Sequence, residues 1–150
     1  MFRIEKKGYI MPDAEVRESL GRGRGVFAKR NYAKDELIER SPTITCDVSL
    51  IEELYRLNDH RTILHDYVFT YSGIAHVGLG LSSVYNHSSD NNAHWKVSNE
   101  EASVEIRARK PIAVGEEITI RYTNWDTLLW FEPSKEDNVS ASNEEKLLTT

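Results

Sequence analysis

The amino-acid sequence predicts one mostly β domain with short helices, and two observations support this fold class. Short apolar runs separated by turn residues dominate the 150 residues, a length at which a single domain buries a sizeable core. Two segments also resemble one another, because AKRNYA at residues 28–33 matches ARKPIA at residues 108–113. Two copies do not make a solenoid, so the similarity indicates two related β units within the domain.

The first β unit occupies residues 25–44 and precedes a helix. Its apolar runs predict two strands joined by a turn at residues 33–36, with Pro42 ending the second strand. After a capping residue at Ser49, apolar side chains recur at helical spacing. These apolar positions are Leu50, Ile51, Leu54 and Leu57.

The second β unit, residues 103–122, repeats the plan with a turn at residues 114–116. Further on, residues 132–150 are polar and lack aromatic side chains, which is typical of a flexible tail. We therefore expect a folded domain over residues 1–131, with its motifs within 20–131, followed by that tail.

Charge and cysteine content exclude several classes of protein. With 19 basic and 24 acidic residues the net charge is −5, whereas a non-specific nucleic-acid binder carries a basic surface; an acidic chain suits a basic partner. The single cysteine, Cys46, excludes an internal disulfide and a zinc site of several thiolates. No long apolar run or signal-peptide core is present, so we expect an intracellular protein, cytoplasmic or nuclear, that does not bind membranes.

The glycine-rich segment GRGRGVFA, residues 21–28, contains the spacing G-x-G-x-x-A. That spacing indicates a dinucleotide site only when a strand precedes it and a helix follows. Here the preceding residues are polar and the following ones alternate as in a strand. Two interpretations stay open: a tight turn with a bulge, or a strand whose backbone a ligand approaches closely.

The histidine and cysteine positions do not predict a metal site or a nucleophile. His60 and His65, like His87 and His94, are spaced so that neither pair shares one helical face, and no carboxylate recurs at a ligand-like offset. Cys46 has no recognisable catalytic partner motif, which favours a buried, inert thiol.

Three aromatic residues, Tyr67, Phe69 and Tyr71, alternate along HDYVFTYSG and would lie on one face of a strand. Such a face is typical of a core. An aromatic-walled slot for an alkylammonium group is the alternative, because buried tyrosine hydroxyls need partners and aromatic faces attract cations.

Taken in order, four motifs resemble the SET domain of protein-lysine methyltransferases. They are GRGVFA at 23–28, the aromatic strand, YNHSSDNNA at 85–93 and GEEITIRY at 115–122. The resemblance spans about residues 20–131 and is strongest to small stand-alone SET proteins of viruses and bacteria. It implies several small curved sheets around a C-terminal pseudoknot, and S-adenosyl-L-methionine as cofactor.

The resemblance also implies roles for individual residues. It implies that Tyr122 and Tyr67 are catalytic. The implied cofactor-binding residues are Gly23, Arg24, Gly25, Asn86, His87, Tyr122 and Trp130. The implied lysine-channel residues are Tyr67, Phe69, Tyr71, Tyr85 and Trp125. No metal is implied.

The sequence departs from the family pattern at three places. Asn91 stands where the family has proline, which predicts a less rigid loop, and Arg121 stands where the family often has aspartate. The C-terminal cysteine cluster of the chromatin enzymes is missing from this sequence. Trp125, Trp130 and Phe131 are therefore expected to close the channel, with an indole available to stack on adenine.

The function implied is methyl transfer from S-adenosylmethionine to a lysine amine of a basic protein, such as a histone. The alternatives are a catalytically inactive SET-like module that binds peptides and a β-rich interaction module. The oligomeric state is open, with a homodimer as one option, and the substrate lysine and the degree of methylation are not fixed by the sequence.

Overall fold

The computed structural model describes residues 7–57 and 67–122. Several positions discussed above lie outside these ranges: Trp125, Trp130, Phe131, the tail, His60 and His65. The described elements are β1 (Ala14–Ser19), β2 (Gly23–Ala28), β3 (Leu37–Asp47), α1 (Val48–Leu57), β4 (Val68–Tyr71), β5 (Ile74–Gly78), a short 3-10 turn (Leu81–Ser83), β6 (Asn86–His87), β7 (Ala93–Ser98), β8 (Ser103–Ala108) and β9 (Glu117–Ile120). The mostly β prediction is confirmed.

The elements form two compact units. In the described ranges, the first unit comprises residues 7–13, 37–57, 67–83 and 95–107. It is built on a five-stranded sheet of order β4-β5-β3-β8-β7. The second unit comprises residues 14–36, 84–94 and 108–122 and contains a four-stranded sheet of order β1-β2-β9-β6.

Strand β3 is longer than the sequence predicted, because Pro42 does not end it. Residues up to Pro42 pair with β8, and Thr43–Asp47 pair with β5. Proline is tolerated in a sheet where pairing ends or changes, and Pro42 occupies that position. Its carbonyl still accepts a hydrogen bond from the Leu79 N–H at 3.0 Å.

Helix α1 forms where the apolar spacing predicted it, but Ser49 is not its cap. Asp47, the residue before the helix, accepts hydrogen bonds at its Oδ1 from the Ser49 N–H at 2.9 Å and the Ser49 hydroxyl at 2.6 Å. A carboxylate reaching the second helical N–H is the usual geometry of an N-cap. Ile51 is buried, whereas Leu50 and Leu57 are exposed.

In the second unit the two similar sequence segments form equivalent turns that bind each other. Tyr32 and Ile112 exchange two backbone hydrogen bonds of 2.9 and 3.0 Å. Glu36 accepts the N–H of the residue three positions earlier at 2.8 Å, and Glu116 does the same at 2.9 Å. The predicted pair of related β units therefore corresponds to two matched turns.

Candidate functional site

The segment that ends in Tyr122 passes beside the Asn86–His87 strand. Asn86 and His87 pair in parallel with Thr119 and Ile120. The Tyr122 N–H donates to His87 Nδ1 at 3.1 Å, and the Tyr122 hydroxyl donates to the Tyr85 carbonyl at 2.7 Å. These bonds join the two motifs that the sequence placed far apart.

The tautomer of His87 follows from this contact. Because Nδ1 accepts a backbone N–H, a neutral His87 carries its proton on Nε2. The His87 and Tyr122 rings also meet edge to face, with centroids 5.4 Å apart. Tyr122 is 37% exposed while His87 is 4% exposed, so the histidine supports a tyrosine whose ring reaches the surface of this unit.

Beside this pair, the Asn86 side chain connects three strands. Its Nδ2 donates to the Arg24 carbonyl at 2.9 Å and to Glu117 Oε1 at 2.7 Å. Glu117 Oε2 accepts the Ser19 hydroxyl at 2.9 Å. Neither Glu117 nor Ser19 was among the predicted site residues, although the repeated glutamate of GEEITIRY marked the motif.

The two positions of G-x-G are occupied by glycine for different structural reasons. Gly23 has φ of 78° at the start of β2, and a Cβ there would meet no atom within 4 Å. Gly25 is buried, and a Cβ there would lie 2.3 Å from Glu117 Oε1. Gly23 therefore serves the turn, and at Gly25 the group in close approach is a carboxylate of the protein itself.

The loop that follows His87 is fixed by its own amides. Asn91, in place of the family's proline, is 5% exposed; its Nδ2 donates to the Ala93 carbonyl at 2.7 Å, and Arg109 donates to its Oδ1 at 3.0 Å. Asn92 donates to the Glu117 carbonyl at 2.8 Å and accepts the Thr119 N–H at 2.8 Å. These hydrogen bonds tie the loop to neighbouring segments, and the lower rigidity expected from Asn91 stays a prediction.

The aromatic strand belongs to the first unit. Tyr67 and Tyr71 are 46% and 61% exposed, whereas Phe69 is buried and lies 5.0 Å from Trp95, measured between ring centroids. Tyr85, in the second unit, is also buried and supplies the carbonyl that binds Tyr122. The lysine-channel assignment of these residues stays a prediction.

A buried network of side-chain hydrogen bonds in the first unit was not predicted. His76 is fully buried, with Thr43 Oγ1 at 2.8 Å from Nδ1 and Asn99 Oδ1 at 2.7 Å from Nε2. Within residues 7–57 and 67–122, no three His, Cys, Asp or Glu side chains converge as metal ligands would. None of the helices in these ranges is long and apolar enough to cross a membrane.

Comparison with known proteins gives three consistent results. A family model described as the SET domain matches residues 23–123. A Schizosaccharomyces pombe protein named histone-lysine N-methyltransferase, H3 lysine-37 specific, is 32% identical over 124 residues, covering 82% of this chain and 80% of that protein. A crystal structure from Plasmodium falciparum, assigned as a candidate histone methyltransferase, matches with a TM-score of 0.61 and 26% identity, covering 82% of this chain and 100% of that one.

Proposed function

The chain belongs to the SET-domain family, and from this premise we propose that it is a protein-lysine N-methyltransferase that uses S-adenosylmethionine. The observation that carries the proposal is the set of hydrogen bonds that joins Tyr122 to His87 and Tyr85, beside the parallel pairing of β6 with β9.

The residues around Asn86 fit the methionine end of the cofactor, which carries an ammonium and a carboxylate. Both acceptors near the Asn86 amide engage its Nδ2, which leaves Oδ1 as the atom able to accept from an ammonium. Arg24 is exposed and offers a cation to a carboxylate, and the open space at Gly23 admits a ligand to the backbone. We propose that these residues, with Gly25, His87 and Tyr122, hold the cofactor; Trp130 stays a prediction outside the described ranges.

When bound, the cofactor supplies a methyl group carried on a sulfonium, and the acceptor has to be a neutral amine. A lysine in water has a pKa of about 10.4, so only about one molecule in 2,500 is neutral at pH 7. Desolvation of the ammonium against aromatic side chains lowers that pKa.

Tyr122 acts in this proposal as a positioner and not as a base. Its proton is donated to the Tyr85 carbonyl at 2.7 Å, so the phenol oxygen presents lone pairs. Those lone pairs accept weak C–H···O contacts from a polarised methyl group. A site of this kind would accelerate transfer chiefly by orienting the reacting atoms.

A basic protein is the proposed substrate, and a histone is the first candidate. The net charge of −5 favours a cationic partner. The S. pombe relative is named for lysine 37 of histone H3, which supports a histone and an intracellular, cytoplasmic or nuclear location.

The test is direct methyl transfer. Purified chain is incubated with methyl-labelled S-adenosylmethionine and core histones, and labelled lysines are identified by mass spectrometry. Tyr122→Phe should abolish most labelling, while Tyr9→Phe, at an exposed tyrosine in the first unit, should not.

An inactive peptide-binding module would bind basic peptides without binding the cofactor. Cofactor binding by calorimetry therefore separates the two functions. No binding of S-adenosylmethionine by the folded protein would reject the methyltransferase.

A further inference from the structure

Glu117 lies where all four strands of the second unit's sheet meet. It begins β9, its Oε2 accepts from Ser19 at the end of β1, and its Oε1 accepts from Asn86 in β6. The remaining strand, β2, contributes Gly25, whose missing side chain leaves room for this carboxylate. Ser19 is 4% exposed, so its hydroxyl is committed to the interior.

Glu117 determines which way the Asn86 amide faces. An amide nitrogen donates and an amide oxygen accepts, and both the Arg24 carbonyl and the Glu117 carboxylate accept only. The two together therefore fix Nδ2 on their side, at 2.9 and 2.7 Å. In the described part of the chain, no donor is recorded at Asn86 Oδ1.

The same carboxylate explains Gly25. A Cβ at residue 25 would lie 2.3 Å from Glu117 Oε1 and 3.0 Å from Asn86 Nδ2. An alanine there would force the carboxylate away from Asn86. The glycine thus protects the contact between Glu117 and Asn86.

We propose that Glu117 is a positioning residue for the cofactor site. It locks the Asn86 amide so that Oδ1 accepts a hydrogen bond from the α-ammonium of S-adenosylmethionine, and Gly25 is glycine because Glu117 needs the space. This inference rests on the proposed function. Glu117 acts through Asn86 and does not itself touch the cofactor.

The first experiment measures discrimination between two ligands. Affinities for S-adenosylhomocysteine and for its analogue without the α-amino group are compared by calorimetry. The folded wild type should prefer the amino compound by at least about tenfold, the scale of one charged hydrogen bond. Glu117→Ala should reduce the preference to within about threefold, as should Asn86→Ala.

Two conservative variants complete this set. Glu117→Gln should keep the preference, because its carbonyl oxygen still accepts from Asn86 and the Ser19 hydroxyl can reverse to accept from the new amide. Glu116→Gln is the matched control, since Glu116 contacts the Ala113 N–H and Asn92 but not Asn86. It should behave as wild type.

The second experiment is a double-mutant cycle. Gly25→Ala should weaken S-adenosylhomocysteine binding about tenfold in the wild-type background. In the Glu117→Ala background the same substitution should cost less than about twofold, because the obstructing carboxylate is gone and the Asn86 amide, 3.0 Å from the added Cβ, is no longer held in place. Equal losses in both backgrounds would show that a ligand needs the space, and would overturn the role given to Gly25.

The outcomes separate this inference from the proposed function. A wild type that binds neither ligand rejects the proposed function. A wild type that binds both equally, or a Glu117→Ala variant that loses affinity for both in equal proportion, leaves the function standing and overturns the positioning role. If Glu117→Ala does not fold, Gly25→Ala displaces the same carboxylate and must lose the preference by itself.

Discussion

Tyr122 is held both at its backbone and at its side-chain hydroxyl. Its N–H is bound to His87 and its hydroxyl to the Tyr85 carbonyl, so two residues that flank Asn86 in sequence hold it. A phenol held in this way loses little rotamer entropy when a substrate arrives. We therefore predict that single-atom changes at Tyr122 affect turnover more than folding.

Tyr122→Phe should lower turnover by about 10²-fold or more, the scale of removing one preorganised polar group. The free energy of unfolding should fall by only about 1 kcal/mol, since one neutral hydrogen bond is lost. Steady-state kinetics and thermal melting measure the two effects. Turnover equal to wild type in a folded variant would remove Tyr122 from the mechanism.

Among the helices and strands, the types were easier to predict than their ends and partners. The helical spacing of Leu50, Leu54 and Leu57 located α1, but the cap is Asp47, because its carboxylate accepts the Ser49 N–H and the helix already begins at Val48. Pro42 was expected to end β3. It does not, since its missing N–H falls where β3 changes from β8 to β5, a tertiary fact that local sequence does not contain.

The cap of α1 makes a prediction about pH. The hydrogen bonds from the Ser49 hydroxyl and N–H lower the pKa of Asp47 below its ordinary value of 3.8. A carboxyl with a lowered folded-state pKa contributes stability above its unfolded pKa, and that contribution is lost as the pH falls through the folded pKa. Asp47→Ala should therefore lower the melting temperature at pH 7 and have a smaller effect at pH 2.

Asp47→Asn is the matched control, because it keeps the capping oxygen without the charge. Its melting temperature should depend less on pH in the acid range than that of the wild type. An Asp47→Ala variant with the same effect at pH 7 and pH 2 would contradict the capping role.

The two matched turns make a prediction by comparison. Asp35 and Gly115 occupy equivalent positions with φ of 68° and 85°, a region that aspartate tolerates better than most residues. Gly115→Ala should cost about 1 kcal/mol of unfolding free energy. Gly115→Asp should cost less, because the other turn holds aspartate in that conformation. Denaturant unfolding measures both; an aspartate variant less stable than the alanine one would contradict the equivalence.

For the whole molecule, motif order predicted the family and the meeting of Asn86, His87 and Tyr122. It did not predict the contacts of Glu117. Those contacts join β1, β2, β6 and β9 through side chains distant in sequence, and no local pattern records which strand lies beside which. The buried His76 was missed for a similar reason, because its partners Thr43 and Asn99 come from separate segments.

The rate of methyl transfer should rise with pH. The step needs a neutral lysine, so the rate should increase from pH 7 to about pH 9. The logarithm of the rate should rise by about one per pH unit as long as the chemical step is rate-limiting. Glu105 and Glu36 should not contribute to this rise, because the pKa of each is lowered. Burial alone would raise the pKa of Glu105, but hydrogen bonds from Arg40 and the charge of Arg107 hold it below the ordinary value. The pKa of Glu36 is lowered by hydrogen bonds from the Ala33 N–H and Arg30. Both carboxyls therefore titrate below the range from pH 7 to pH 9. A flat profile would mean that the bound lysine is already neutral or that another step limits.

The parallel contact between β6 and β9 has a consequence for biosynthesis. Asn86 meets Thr119 only after the intervening chain has been made, and long-range parallel pairing is slow to form. A nascent chain on the ribosome that lacks β9 has no Glu117 to orient Asn86 and no Tyr122. At the proposed site, S-adenosylmethionine would therefore stabilise only chains in which β9 has already docked, and the emerging N-terminal part would gain no stability from it.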